Sequence, residues 1–333
     1  MGSGPSLFPP QLSTYLLAMT VEESSAPQGE GASTTRCGYV ALLGAPNVGK
    51  STLLNALVGE ELSIVTAKAQ TTWQRITGIR TSGIHQMICL DTPGIVAPVG
   101  LLHRSLLFSV EEATREADII VILSDPLQSL IDRERERIKE VLGRASAVRI
   151  GVVNKVDIAD VNAIRVERQW LEDLCIPIVH LVSARRGTGM EELVRDLGEN
   201  LPTGPFLYPE EEVASAPVRF FVAEMVREAI FKQFHEEIPY ASICRVEEFR
   251  DAGNRTYIQV TIYVERASQK GILIGDQGQA IRSLGTAARI RIEHFLDKPV
   301  YLDLWVKVLA GWRRKPEQLR RLGIPVPQED RVQ

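Results

Sequence analysis

A short stretch of this sequence holds the residues needed to bind phosphate. Gly44-Ala45-Pro46-Asn47-Val48-Gly49-Lys50-Ser51 fits the pattern G-x-x-x-x-G-K-[ST]. Gly44 and Gly49 let the backbone bend so that successive N–H groups, that of Val48 among them, converge on phosphate oxygens. Lys50 brings a compact cation to the β- and γ-phosphates, and Ser51 offers a hydroxyl to Mg²⁺. Thr52 continues into a helix whose positive end faces the same anion. The flanks supply what such a loop requires: Tyr39 to Leu43 reads as a buried strand, and Thr52 to Leu57 opens a helix.

A phosphate loop alone does not choose among kinases, ATPases and GTPases, but three later stretches do. Asp91-Thr92-Pro93-Gly94 ends an apolar strand, where the aspartate can hold Mg²⁺ through water and the Gly94 N–H can meet a γ-phosphate. Asn154-Lys155-Val156-Asp157 ends another. There the Asp157 carboxylate can accept from the N1 and N2 donors of guanine, with the Lys155 stem across the base. Adenine lacks that donor pair and would leave the carboxylate unpaired, so such a site discriminates by ~10⁴ or more. Ser183-Ala184-Arg185 follows the last strand and can offer the Ala184 N–H to the guanine 6-oxygen. Each stretch alone has a plainer reading as a turn or a solvated strand end. In this order, each after a strand, they specify GTP and GDP.

These motifs carry a resemblance. The run from Pro46 to Gly59, then Lys68-Ala69-Gln70-Thr71-Thr72, Asp91 to Gly94 and Asn154 to Asp157 resemble the Era branch of translation-factor-related GTPases. The resemblance implies that Ser63 to Arg75 is the first switch, with Thr72 rather than Thr71 reaching Mg²⁺ and the γ-phosphate. Trp73 stands where that family usually has a basic residue. Lys50, Thr72 and Gly94 are then the catalytic set, and Ser51, Thr72 and Asp91 the metal set. Ile95 follows Gly94 where Ras-like GTPases place a water-orienting glutamine, so slow turnover is expected. In GTPases similar to this one, an asparagine at the Asn47 position helps hold K⁺, which implies potassium-stimulated hydrolysis.

The elements that must position these residues alternate strand and helix from Gly38 to about Leu201. Continuously apolar strands between helices predict an α/β fold, a mostly parallel sheet with helices on both faces, with ligands beyond the carboxyl ends of the strands. Residues 202–217 contain four prolines and the acidic run Glu210-Glu211-Glu212 and read as a linker. Residues 1–36, rich in Gly, Ser, Pro and Thr, read as a disordered extension. Beyond the linker the order becomes helix, two strands, helix, loop, helix, strand. This predicts a second, α+β unit over 218–312, with 313–333 as a tail.

In that unit Gly275-Asp276-Gln277-Gly278 places a G-x-x-G loop between two helices. The element order is that of a type II KH domain, in which such a loop lets a nucleic-acid backbone approach closely. Pro299 to Val308 followed by Gly311-Trp312 resembles the end of Era proteins. Lys270, Arg282 and Arg289, with Arg291, Lys307 and Arg313-Arg314-Lys315, are candidates for phosphate contact. Asp276 and Gln277 depart from the family, which commonly has a basic residue inside the loop. Trp305 alternates with apolar residues and reads as core, whereas Trp312 could stack on a base. The formal charge of −4 divides unevenly, with the last third basic, which suits a polyanionic partner.

The resemblance implies a GTPase switch that binds small-subunit ribosomal RNA near its 3′ end and acts in assembly of the small ribosomal subunit. Two rivals are a GTPase whose C-terminal domain binds a protein or a membrane surface, and a small-molecule phosphotransferase. The four cysteines, Cys37, Cys89, Cys175 and Cys244, show no C-x-x-C spacing and predict neither zinc nor disulfides, hence a reduced, cytoplasmic setting. No apolar run approaches the ~20 residues of a membrane span. A monomer is expected, and a transient visit to the inner face of the cell membrane is left open.

Overall fold

The computed structural model describes residues 34–328 apart from 67, 69, 97, 98 and 129. Most of the expected N-terminal extension, residues 1–33, lies outside the described residues. Its last residues belong to the fold: Thr35 Oγ1 donates to Gly204 O at 2.8 Å, and Arg36 begins the first strand. The chain forms two compact units, one of residues 216–310 and one joining residues 34–215 to 311–328.

The larger unit runs β1 (Arg36–Leu43), α1 (Lys50–Val58), β2 (Ile76–Ser82), β3 (His85–Asp91), α2 (Gly100–Glu116), β4 (Ile119–Ser124), α3 (Asp132–Leu142), β5 (Val148–Val153), α4 (Val161–Asp173), β6 (Ile178–Leu181) and α5 (Met190–Asn200). Its sheet has the order β2-β3-β1-β4-β5-β6. Only β2 is antiparallel to its neighbour. All six residues of β4 are buried, as expected for a central strand covered on both faces. The phosphate loop follows β1, and Asp91, Asp125 and Asn154 stand at or just past the carboxyl ends of β3, β4 and β5. The alternation read from the sequence thus puts the chemistry at one edge of the sheet.

Residues 202–217 do not form a free linker. The fully buried Gln86 carboxamide treats the chain there as one more backbone: its Oε1 accepts from Leu207 N (2.8 Å) and Tyr208 N (3.0 Å), and its Nε2 donates to Tyr208 O (2.8 Å). Ile79 N adds a bond to Val213 O at 2.8 Å, and Ala214 is buried. The prolines and acidic run that read as a linker give no sign of the side chain that pins this segment to the sheet.

The smaller unit runs α6 (Val218–Gln233), α7 (Ile238–Ala241), β7 (Ile243–Asp251), β8 (Thr256–Val264), α8 (Ala267–Ile274), α9 (Gln279–Leu296) and β9 (Val300–Val308). The sheet order is β7-β8-β9, with β8 antiparallel to β7 and parallel to β9. Ile258, Val260, Ile262 and Val264 are fully buried, one face of β8 that fills the core beneath the helices. Trp305 departs from expectation: it is 50% exposed, and its Nε1 donates to Asp303 Oδ2 at 2.8 Å. Alternation in β9 puts 301, 303, 305 and 307 on one face, and that face is not the helix-covered one.

Trp312 also differs from its expected place. It is fully buried in the larger unit, with its ring centroid 5.6 Å from that of Trp73. Residues 312–314 pack against α2, and the helix α10 (Pro316–Arg321) brings Leu322 O within 2.7 Å of Gln74 Nε2. The tail therefore belongs to the larger unit, and Trp312 cannot stack on a base.

Candidate nucleotide site and RNA interface

The phosphate loop is built from strained backbone. Gly44 and Gly49 have φ of 156° and 99°, and Asn47 adopts 63° at the exposed tip. At Gly49 a Cβ would collide with the Asn154 side chain, so glycine is required twice over. Lys50 is buried at the start of α1, with Nζ donating to Ala45 O (2.8 Å) and Gly44 O (3.2 Å). Burial lowers its pKa to about 8, against a smaller raising effect from Asp91. A polyphosphate in the loop would restore the proton. Calorimetry with GDP at pH 8, in EDTA to keep Asp91 out of the titration, is expected to show about half a proton taken up per nucleotide, and affinity should fall about tenfold from pH 7 to pH 9. Binding without proton uptake would refute this.

Beside Lys50 the three residues of the metal set meet. Asp91 Oδ2 accepts from Ser51 Oγ (2.7 Å) and Thr72 Oγ1 (3.2 Å), and those two hydroxyls lie 3.2 Å apart. Ser63 Oγ, which sequence reasoning did not single out, is a third hydroxyl at 3.0 Å. The other carboxylate oxygen, Asp91 Oδ1, is buried without a partner. Burial raises the Asp91 pKa, opposed by Lys50 and by the three hydroxyls. A buried carboxylate with an unused lone pair, set among hard oxygen donors, fits Mg²⁺. Ser63 is delivered by Asn55 of α1, whose Oδ1 accepts from Leu62 N (3.0 Å) and Ser63 N (2.9 Å).

Gly94 passes so close to the loop that a Cβ would sit 2.7 Å from Pro46 Cα, and Ile95 N donates to Gly44 O at 3.0 Å. The Ile95 side chain is buried, so it cannot orient water. A cavity of about 510 Å³ opens over these groups, bordered by Asn47, Lys50, Ser51, Thr52, Thr72 and Gly94.

The base end differs in detail from the sequence reading. Asn154 Nδ2 donates to Val48 O (2.9 Å) and its Oδ1 accepts from Ala184 N (3.1 Å). Asn154 thus braces two loops, and the Ala184 N–H expected at the guanine oxygen is already used. Lys155, at φ 61°, donates to Asn47 O (2.7 Å) and to the buried Asp125 Oδ2 (2.5 Å). Asp125 was not foreseen, and its only signal is its place directly after β4. The Asp157 carboxyl is held below the usual range, first by the Ser183 hydroxyl and also by Arg186, with desolvation opposing. Arg186 Nε lies 3.2 Å from Asp157 Oδ2 and presents N–H donors where guanine would present its own.

In the smaller unit Gly275 and Gly278 have φ of 72° and 79°, with Gln277 at 46° between them. A Cβ on Gly275 would lie 2.6 Å from Ala280 Cβ, at the start of α9. Asp276 and Gln277 are exposed, as are Arg282 and Arg289 on α9, and Lys270 is half-buried. Arg291 is removed from the phosphate candidates: it pairs with the buried Glu228 at 2.6 Å, which also holds Lys232 at 3.0 Å. Lys307 lies on the sheet face away from α9. The basic surplus also divides differently: six Lys/Arg and three Asp/Glu follow residue 310, so most of it resides in the tail.

Comparison with known proteins agrees with this geometry. A family model described as "50S ribosome-binding GTPase" matches residues 39–155, and one described as "KH domain" matches 225–313. GTPase Era of Bradyrhizobium diazoefficiens is 39% identical over 313 residues, 93% of this chain and 100% of the relative. The chain belongs to the Era family. Era of Carboxydothermus hydrogenoformans is 40% identical over 291 residues, 86% of this chain and 97% of that one. Aquifex aeolicus Era bound to GDP and AlF4⁻ superposes with a TM-score of 0.83 at 34% identity. Era in complex with MgGDPNP and nucleotides 1506–1542 of 16S ribosomal RNA gives 0.83 at 35%, and each match covers 88% of this chain and all of the other. As an Era protein the chain is a GTPase with a P-loop domain followed by a KH domain.

Proposed function

We propose that this Era protein is a Mg²⁺-dependent GTP switch controlling RNA binding by its KH domain, acting in small-subunit assembly by binding 16S ribosomal RNA near its 3′ end. The observation that carries the reading is the meeting of Thr72 with Ser51 and Asp91. Thr72 lies in the irregular segment between α1 and β2 and reaches the metal position through a single hydroxyl. Loss of the γ-phosphate would weaken that hold, so the segment can report which nucleotide is bound. The relative solved with MgGDPNP and an rRNA fragment supports the same ligands here.

In hydrolysis, Lys50 and the N–H groups of the loop and of Gly94 stabilise charge developing on the phosphates. Mg²⁺ held by Ser51, Thr72 and Asp91 would add positive charge there. With Ile95 buried, the residue after Gly94 cannot take the water-orienting role of a glutamine. Asn47 at the loop tip is proposed to help hold K⁺ instead, so hydrolysis is expected to run severalfold faster in KCl than in equimolar NaCl. Equal rates would remove that role.

Crosslinking of the GTP-bound protein to cellular RNA tests the function. The expected result is enrichment of the 3′ end of the small-subunit RNA, lost when Gly275 and Gly278 are both changed to aspartate; enrichment elsewhere overturns the assignment. Among the described residues no helix is long and apolar enough to cross a membrane. The reading is of a cytoplasmic monomer, and flotation with anionic vesicles checks for a transient membrane visit.

A further inference from the structure

The helix-free face of the KH sheet carries an organised cluster of rings and guanidinium groups. A Cβ on Gly285 of α9 would lie 3.4 Å from Leu304 Cδ1, so the even-numbered residues of β9 face the helices. Alternation then turns Tyr301, Asp303, Trp305 and Lys307 the other way, and Tyr301 is 52% exposed. The parallel register sets Tyr257 beside Tyr301, with ring centroids 5.7 Å apart and planes 14° from parallel. The antiparallel register sets Arg250 opposite Tyr257, its guanidinium 4.8 Å from the ring centroid, and Arg255 lies 5.3 Å from that of Tyr301.

Together with Ala252 these four residues border a cavity of about 330 Å³, large enough for one small planar ligand. The cluster is braced: Arg250 pairs with Glu248 at 2.6 Å, and the Tyr257 hydroxyl donates to Asp303 at 3.2 Å. Arg255 has no carboxylate at salt-bridge distance among the described residues. A half-exposed ring and a guanidinium lying over it without a carboxylate partner therefore share one spot of the surface.

We propose that this cluster is a second RNA contact of the KH domain, on the sheet face opposite α9. An unpaired base would stack on Tyr301 in place of the Arg255 guanidinium, which would turn to the phosphate. Stacked rings offer a π-face to any base, and a guanidinium beside them serves either the phosphate or the base. A protein partner is the poorer fit, because the rings are laid out with guanidinium groups beside them, and the two rim carboxylates are already engaged, Glu248 by Arg250 and Asp303 by the Tyr257 hydroxyl. The proposal rests on the RNA-binding reading of the G-x-x-G loop.

The test measures binding of a fluorescently labelled RNA spanning 16S nucleotides 1506–1542 to the full chain with a non-hydrolysable GTP analogue. Tyr301→Leu, at an exposed position, is expected to weaken binding at least about fivefold, while Tyr301→Phe stays within about twofold. Arg255→Gln should reduce the slope of log affinity against log salt by about one. Gly278→Asp, tolerable at a left-handed position but repulsive to phosphate, is the control. Full affinity in Tyr301→Leu with loss in Gly278→Asp overturns the platform and leaves the loop reading standing. Full affinity in both overturns the platform and the loop reading together.

Discussion

Asp157→Asn is expected to turn a guanine site into a xanthine site. Guanine offers two donors, N1–H and N2–H, and a carboxylate accepts both. An asparagine offers one acceptor and one donor, so N2–H would face another N–H at a position tied to Ser183. Sites that read a base through such a pair reject the mismatch by 10⁴ or so, and GDP affinity should fall by about 10³ or more. Xanthine places a carbonyl where guanine has its amino group, which the new amide N–H can meet. Titration with fluorescent GDP and XDP reads both changes. A variant that still prefers GDP would show that Asp157 does not read the base. Because its carboxyl is held below the usual range, the wild-type preference should persist at mildly acidic pH.

The second large effect is expected far from the nucleotide. Trp312→Ala removes a fully buried indole that packs on Trp73, and truncations of this kind cost about 3–5 kcal/mol. Two units need not unfold together, so urea melts should show the transition of the GTPase unit moving to lower denaturant while that of the KH unit stays. The same ring supports the first switch: Trp73 Nε1 donates to Gln70 O at 3.0 Å, two residues before Thr72, and Gln74 holds Leu322. Weaker binding of a GTP analogue, with GDP affinity less affected, should accompany the loss of stability. Trp312→Phe should recover most of both. An unshifted GTPase transition would mean that the tail is only laid on the surface.

Trp73 and Trp312 also explain a departure noted in the sequence. Where the family usually carries a basic residue, this chain has an indole, and the fold provides a second indole for it to pack on. A basic side chain in that buried position would exchange this ring packing for a cation–π contact with Trp312 and would bear the cost of desolvation.

Much of the nucleotide site was legible because its chemistry is local. Gly44 to Ser51 must bend, present N–H groups and begin a helix within eight residues, and only a narrow set of residue types does all three. Asp91 and Asn154 to Asp157 were readable because each follows an apolar run long enough to be a strand, and a parallel sheet sends all its strand ends to one edge. The positive φ at Gly275 and Gly278 likewise follows from a two-glycine turn between helices.

Other features depended on contacts between residues far apart in sequence. Ser63 reaches Asp91 because Asn55 turns the chain, and Asp125 orients Lys155 across 30 positions. Gln86 pins a segment 121 residues away. Arg291 was read as a free cation, yet a buried carboxylate on α6 claims it. The two tryptophans exchanged their expected roles for one reason: a period of two marks two faces of β9 without saying which one the helices cover, and nothing in Gly311-Trp312 says to which unit the chain returns. The sequence by itself determined the nucleotide, the strand ends that meet it and the turn that can meet RNA, since these follow from short-range backbone geometry. Only the tertiary structure decided which rings are buried, which cations are free and where the tail docks, because those depend on what packs against each face.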